Sequence, residues 1–163
     1  VTLFNYIGYR LMEPPDHFSQ AVVGMLSVVY LSGTYSASKA GALTRKYGYG
    51  RVLIGAVTLM LTGILITLGS SLAAVLIGML VLTTGFFAAH SVTSSWVGRR
   101  ARRARAQASS LYLFCYYAGS SIAGTLGGVF WSYWHWNGIG WFIAAMLATG
   151  VLIALYLNKH AHS

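Results

Sequence analysis

Two side chains in this 163-residue sequence are the first candidates for chemistry, because Arg10 and His90 each lie in a stretch that is otherwise almost free of charge. An arginine in an apolar helix is a candidate for function, since the burial of a charge is costly. A histidine in such a stretch can change its charge near neutral pH and so carry a proton. Tyr6 lies one helical turn before Arg10, Asn5 one turn before Tyr9 and Phe86 one turn before His90. The full set is Asn5, Tyr6, Tyr9, Arg10, Phe86 and His90.

Each of these two side chains also has a purely structural explanation. Arg10 could reach the water interface and pair with Glu13 or Asp16, which are the two acidic residues of the chain. His90 could be a neutral side chain that is hydrogen-bonded between two helices. The sequence leaves both alternatives open.

Aromatic residues offer a third possibility. Tyr112 and Tyr116 are four residues apart and share one face of a predicted helix. Aromatic faces bind flat or cationic apolar molecules through stacking and cation–π contacts, which suggests a substrate site. The same spacing is also typical of ordinary packing between helices.

Patterns typical of enzymes and metal proteins are missing from the sequence. It has no phosphate-binding loop, no H-E-x-x-H and no Cys-x-x-Cys, and the single cysteine, Cys115, cannot form a disulfide within the chain. His17, His90 and His135 are too scattered to suggest a metal site. We therefore expect no metal, no cofactor and no enzymatic activity.

The composition excludes an ordinary soluble fold. Charged residues make up 8% of the chain, against roughly 25% in a typical globular domain. Hydrophobic residues make up 56%, and the mean hydropathy is +0.64. Segments 17–38, 52–98 and 106–158 contain no Asp, Glu, Lys or Arg. Because about 20 apolar residues cross a membrane, the first segment is long enough for one helix and each of the others for two.

These segments predict an all-α, multi-pass transmembrane helix bundle. Residues 1–12 look like the end of a truncated first helix, which would make the chain part of a longer protein, and Pro14 and Pro15 then form a turn. The predicted helices are 1–12, 20–38, 52–68, 72–95, 108–130 and 139–157. The chain would thus be one unit of six helices in a lipid bilayer.

The basic residues predict the orientation of the bundle. All of the 11 Lys and Arg residues except Arg10 fall in the loops 39–51 and 99–105 or in the C-terminal tail. Cytoplasmic loops are rich in Lys and Arg, so these loops and the C-terminus are predicted to be cytoplasmic. The cluster of arginines at 99–105 lies between apolar segments, so the net charge of +9 does not indicate nucleic-acid binding.

The first basic loop resembles a loop of the major facilitator superfamily with the pattern G-x-L-a-D-r-f-G-r-r. Gly41, Leu43, Lys46, Tyr47, Gly48 and Arg51 agree with the pattern, whereas Arg45 replaces the family's Asp and Gly50 its usual basic residue. The resemblance implies a gating loop, formed here by Gly41, Leu43, Arg45, Lys46, Gly48 and Arg51. Without the resemblance, the segment is a tight basic reverse turn.

The resemblance extends over the whole chain. Segments 4–11, 85–91 and 107–114 are similar to a bacterial inner-membrane efflux protein of the acriflavine-sensitivity type. Membership would make this chain the C-terminal half of a transporter that works by alternating access, together with a missing N-terminal half of six helices. It implies proton-coupled antiport of small amphipathic or drug-like molecules. A sugar or metabolite exporter and a membrane scaffold without transport activity remain alternatives.

Small residues in the fifth predicted helix suggest a packing seam. They repeat at intervals of about four residues, which lets two helix backbones approach closely in a membrane. The seam could join helices within this half, or it could pack against the missing half. Its glycines are Gly119, Gly124, Gly127 and Gly128.

Overall fold

The structure is a computed structural model that describes residues 2–12 and 20–160. The side chains of Leu11 and of residues 20–28 fall outside this description, as do Glu13 and Asp16. Every regular element in the described residues is a helix. The helices are α1 (Thr2–Met12), α2 (Gln20–Tyr47), α3 (Tyr49–Thr67), α4 (Leu72–Arg100) and α5 (Arg105–His160).

Three of the helices, α3, α4 and α5, are long and apolar enough to cross a membrane. The 28 residues of α2 are sufficient in length, but α2 is less apolar than these three. The 56 residues of α5 would span about 84 Å if straight, which exceeds two crossings of a hydrocarbon core about 30 Å thick. The described part of the chain is thus an all-α membrane bundle.

The helix α5 contains a reversal of direction rather than a straight rod. His135 has φ 49° and ψ −137°, which is not a helical conformation. The rings of Phe130 and Phe142 are 4.6 Å apart and stacked, although residues so far apart in a straight helix would be separated by about 18 Å. The chain therefore folds back at His135 into a first arm (105–134) and a second arm (136–160). The connection that the sequence predicted over 131–138 is reduced to a single-residue break.

The helix ends differ from the sequence-based expectation at the basic segments. The predicted end of α2 at 38 lies in the middle of the observed helix, which continues to Tyr47. Similarly, α3 begins at Tyr49 and α4 continues to Arg100. The apolar run marks only the part of a helix that lies in hydrocarbon, whereas helices extend into the polar interface without a change of backbone.

Two short connections define the ends of the bundle. Gly48, with φ 86°, joins α2 to α3 in a conformation that favours glycine, and its N–H donates to the carbonyl of Thr44 at 3.0 Å. At the other end of α3, Ser71 caps α4 by accepting from the N–H of Ala74 at 3.1 Å. We call the end with Gly48 and residues 101–104 the basic end, and the end with Ser71 and His135 the kinked end.

Each end has its own buried cluster. At the kinked end, α1, α3, α4 and α5 contribute Leu3, Ile7, Ile64, Val75, Met79, Leu82, Trp136 and Ala144. The indole N–H of Trp136 donates to the carbonyl of Thr67 at 2.9 Å, which ties the reversal of α5 to the end of α3. At the basic end, α2, α3, α4 and α5 contribute Ala40, Leu53, Val92 and Ala154.

The closest approach of two helices is between α3 and α4. A Cβ atom on Gly63 would lie 2.5 Å from the backbone nitrogen of Leu82, and one on Gly78 would lie 2.7 Å from the carbonyl oxygen of Gly63. No side chain fits at such distances, so these glycines bring the two backbones into contact. Gly63 and Gly78 thus form a tight seam of small residues between α3 and α4.

Candidate functional site

Four of the predicted site residues meet between α4 and the first arm of α5. Phe86 and His90 lie one turn apart on α4, and Tyr112 and Tyr116 lie one turn apart on α5. The hydroxyl of Tyr112 and Nδ1 of His90 are 2.8 Å apart and share a hydrogen bond. The ring of His90 is 4.9 Å from that of Tyr116 and 5.9 Å from that of Phe86. We call these four residues the aromatic–histidine cluster.

A line of aromatic rings continues the cluster across two further helices. Phe86 contacts Phe87 at 5.4 Å, and Phe87 meets Tyr30 of α2 edge-on at 5.5 Å. Tyr30 lies 4.8 Å from Phe4 of α1. Aromatic pairs at these separations attract each other beyond simple burial. The rings thus connect α1, α2, α4 and α5. The sequence could not identify Phe4 and Phe87 as members of this line, because only the fold brings these helices together.

A cavity of about 270 Å³ lies beside this line of rings. Its walls include Phe4, Tyr30, Phe86 and Tyr116, and Met146 of the second arm of α5 also contributes. A cavity with aromatic and apolar walls and few polar groups is typical of a small-molecule site. The cluster is only partly buried, so its rings border both the cavity and the outer surface of this chain.

The predicted site residues of α1 form a separate group at the kinked end. The hydroxyl of Tyr6 donates to the carbonyl of Gly124 at 3.0 Å, and its ring stacks on Trp131 at 5.8 Å. Tyr9 also contacts Trp131, at 5.9 Å. Because Gly124 follows Tyr116 by about 12 Å of helix, this group begins about two turns nearer the kinked end than the aromatic–histidine cluster.

Arg10 and Asn5 belong to the α1 group and do not join His90. Arg10 is half-buried one turn after Tyr6, while Asn5 is exposed and its amide lies next to Gly124. The alternative pairing of Arg10 with Glu13 or Asp16 falls outside the described residues. The structure therefore divides the sequence-based candidates into two sites at different depths of the bundle.

The predicted gating loop is almost entirely helical. Gly41, Leu43, Arg45 and Lys46 lie in the last turns of α2, and Arg51 lies at the start of α3, so that Gly48 alone connects the helices. The ammonium of Lys46 is 5.0 Å from the centre of the Tyr47 ring. A basic reverse turn of the kind expected from the sequence is thus compressed to one residue.

The glycines of the predicted α5 seam have different surroundings. Gly127 is buried against Thr2 and Tyr6, and Gly128 faces the hydroxyl of Tyr6. Gly124 approaches Asn5 at an ordinary contact distance, and open space surrounds the Cα of Gly119. Three of the four glycines therefore face α1.

Among residues 2–12 and 20–160, no three His, Cys, Asp or Glu side chains lie close enough together to hold an ion.

Comparison with known families identifies the class of this protein. Residues 4–163 match the Major Facilitator Superfamily, so the chain belongs to this family of membrane transporters. The helical bundle with membrane-length helices agrees with that membership. No solved structure gives a significant match.

Similar proteins occur in several bacteria. The chain is 60% identical over its whole length to the inner membrane transport protein YnfM of Escherichia coli (strain K12), of which it covers 39%. It is 45% identical over 98% of its length to the MFS-type transporter YybF of Bacillus subtilis (strain 168), of which it also covers 39%. A transporter of Buchnera aphidicola subsp. Schizaphis graminum (strain Sg) is 46% identical over 98% of the chain. The chain spans about two fifths of the length of these relatives.

Proposed function

We propose that this chain is the C-terminal six-helix half of a bacterial inner-membrane transporter that works by alternating access. The length of the relatives leaves room for a further half, and one relative is named as an inner membrane transport protein. In this arrangement the basic end faces the cytoplasm, as the concentration of Lys and Arg there predicts. The central cavity then forms between this half and the N-terminal half.

The aromatic–histidine cluster is the observation that carries the proposal about substrate. It combines three aromatic rings with an imidazole on α4 and α5, next to an apolar cavity. Ring faces of this kind attract flat or cationic apolar molecules. The proposed cargo is therefore a small amphipathic, drug-like molecule that leaves the cell.

Proton coupling is assigned to His90 in this proposal. Residues 17–163 contain no Asp or Glu, so no carboxylate in that part of the chain can carry a proton. With Nδ1 unprotonated, His90 accepts a hydrogen bond from the hydroxyl of Tyr112, and protonation of Nδ1 reverses the direction of this bond. Protonation also places a positive charge among the rings of Phe86 and Tyr116, where a cationic substrate would otherwise bind. Proton and substrate then compete for one site, as antiport requires.

Efflux by the full-length protein tests this function. Cells that express the protein are loaded with a fluorescent lipophilic cation, and its energised efflux is followed for the unaltered protein and for His90→Ala and Arg10→Ala. We expect both substitutions to reduce efflux by about tenfold or more, which corresponds to the loss of about 1.4 kcal/mol of stabilisation. Equal amounts of protein in the membrane serve as the control. Unchanged efflux in either variant would show that the replaced side chain has only a structural role.

A further inference from the structure

A phenylalanine ring of α4 lies directly against the backbone of α2. Gly33 of α2 is buried, and a Cβ atom placed on it would overlap the ring of Phe87, with Cε2 and Cγ of the ring each 2.6 Å away. Packed carbon atoms do not approach each other so closely, so the ring occupies the space that a side chain at position 33 would need. Any residue larger than glycine there would require Phe87 to move.

Two hydrogen bonds tie α2 to α4 within about one turn of this contact. The hydroxyl of Ser36 donates to the carbonyl of Thr84 at 2.7 Å, and the hydroxyl of Ser91 donates to the carbonyl of Ala37 at 3.3 Å. Hydrogen bonds of this kind hold neighbouring helices together in a membrane. An added methyl group at position 33 would therefore displace the ring of Phe87 rather than separate the two helices.

Phe87 supports the wall of the cavity of about 270 Å³ without bordering the cavity itself. Its ring meets Tyr30 edge-on at 5.5 Å and Phe86 edge-on at 5.4 Å, and both of these rings line the cavity. Edge-to-face contacts between rings have a preferred geometry, so the position of one ring constrains the other. Displacement of Phe87 is thus passed on to two rings of the cavity wall.

We propose that Gly33 and Phe87 are positioning residues that set the size of the substrate that this cavity accepts. This inference rests on the proposed function, which makes the cavity part of the substrate path. With glycine at position 33, the ring of Phe87 stays against α2 and leaves the cavity its full width. A methyl group there pushes the ring toward Tyr30 and Phe86, which narrows the cavity. A cation with several rings then binds poorly, whereas a cation with a single ring still fits.

Binding of two lipophilic cations to the full-length protein in detergent tests the proposal. The probes are tetraphenylphosphonium, which carries several phenyl rings, and phenyltrimethylammonium, which carries a single ring. Equilibrium dialysis gives the Kd of each. We expect Gly33→Ala to weaken binding of tetraphenylphosphonium by about tenfold and binding of phenyltrimethylammonium by less than about twofold, since one carbon in an apolar pocket changes selectivity by this order. The matched control is Gly98→Ala on α4, where the Cβ meets open space and both Kd values should stay the same.

Substitution of Phe87 tests whether this ring transmits the effect. Leu is smaller than Phe by about one methyl group, so Gly33→Ala/Phe87→Leu conserves the packed volume and should restore the Kd of tetraphenylphosphonium to within about threefold of the unaltered value. Phe87→Leu alone creates no overlap and should shift the selectivity toward tetraphenylphosphonium. Size-exclusion chromatography verifies that each variant is folded.

The pattern across the variants separates failure of this inference from failure of the proposed function. Equal weakening of both cations in Gly33→Ala, no recovery in the double variant, or unchanged selectivity in Phe87→Leu would each overturn the inference, because Gly33 would then only pack α2 against α4. An unaltered protein that binds neither cation would contradict the proposed class of cargo, and the inference with it.

Discussion

His90 and Tyr112 are the pair of residues on which the account of transport depends most. Their hydrogen bond at 2.8 Å joins α4 to the first arm of α5 and connects an imidazole, which can carry a proton, to a neighbouring helix. The sequence identified both residues, since each stood out by type in an apolar segment. It could not show that they form a pair, because they come from different helices.

Replacement of Tyr112 by Phe should weaken the proposed proton-driven transport without loss of the ring. The variant keeps the packing against His90 but removes the hydroxyl, and one such hydrogen bond contributes about 1 kcal/mol. We expect transport in proteoliposomes to fall by about fivefold. The control is Tyr133→Phe on the same arm, where the side chain is 72% exposed and loss of the hydroxyl should have little effect. Equal activity of the two variants would show that the hydroxyl of Tyr112 takes no part in transport.

Thr83 provides a stability test that is independent of transport. Its hydroxyl is fully buried on α4 and has no hydrogen-bond partner in the described residues. Thr83→Val keeps the shape and removes the unsatisfied group, so we expect the free energy of unfolding to rise by about 1 kcal/mol. Thr67→Val should have the opposite effect, because the hydroxyl of Thr67 donates to the carbonyl of Ile64 at 2.6 Å. Thermal unfolding of the full-length protein in detergent compares the two, and a lower midpoint for Thr83→Val would contradict the expectation.

At the scale of helices, the pair α3 and α4 forms the most closely packed unit of the described fold. Gly63 and Gly78 bring the two backbones together, and the buried clusters at both ends include side chains from both helices. Phe86 and His90 of the aromatic–histidine cluster lie on α4, so this closely packed unit positions both side chains.

The effect of one added methyl group measures how tight this seam is. Gly63→Ala should lower the free energy of unfolding by about 2 kcal/mol, because its Cβ would overlap the backbone of Leu82. Gly55→Ala makes the same change on the same helix, but there the Cβ meets open space and helix propensity favours Ala. The midpoint of thermal unfolding should therefore fall in the first variant and stay the same or rise in the second. Similar unfolding midpoints for the two variants would indicate that α3 and α4 leave room for a methyl group at position 63.

The sequence predicted the helices well and their ends poorly. Uncharged segments of sufficient length identified the membrane-crossing parts of α3, α4 and α5, since hydrocarbon excludes charge. The continuation of α2 to Tyr47 was missed because polar residues in a helix outside the membrane carry no such signal. The sequence placed the break at His135 only within a longer turn. It could not locate the break more narrowly, because the hydrogen bond between Trp136 and Thr67 is a tertiary contact. The seam at Gly63 was missed for the same reason.

At the scale of the whole molecule, the distribution of charge separates the two ends of the bundle. Nearly all Lys and Arg residues lie at the basic end, while Trp131 and Trp136 lie near the reversal at the kinked end. Both features agree with a helical bundle that has one cytoplasmic and one external face. The family membership gives the same class of protein by an independent route.

Reporter fusions test the proposed orientation. A reporter that is active only in the periplasm, fused after Gly138 near the reversal of α5, should be active. The same reporter fused after Gln107, just beyond the arginine-rich connection, should be inactive, because basic loops remain in the cytoplasm. A cytoplasmic reporter at the two positions supplies the complementary control. The reverse pattern would invert the bundle.

Substrate-driven proton movement tests the central claim most directly. The full-length protein is reconstituted in liposomes that contain a pH-sensitive dye, and a lipophilic cation is added outside. Under antiport, entry of the cation drives protons out, so we expect the lumen to become more alkaline and His90→Ala to abolish this change. An undiminished pH change in His90→Ala, or cation entry without any pH change in the unaltered protein, would contradict it.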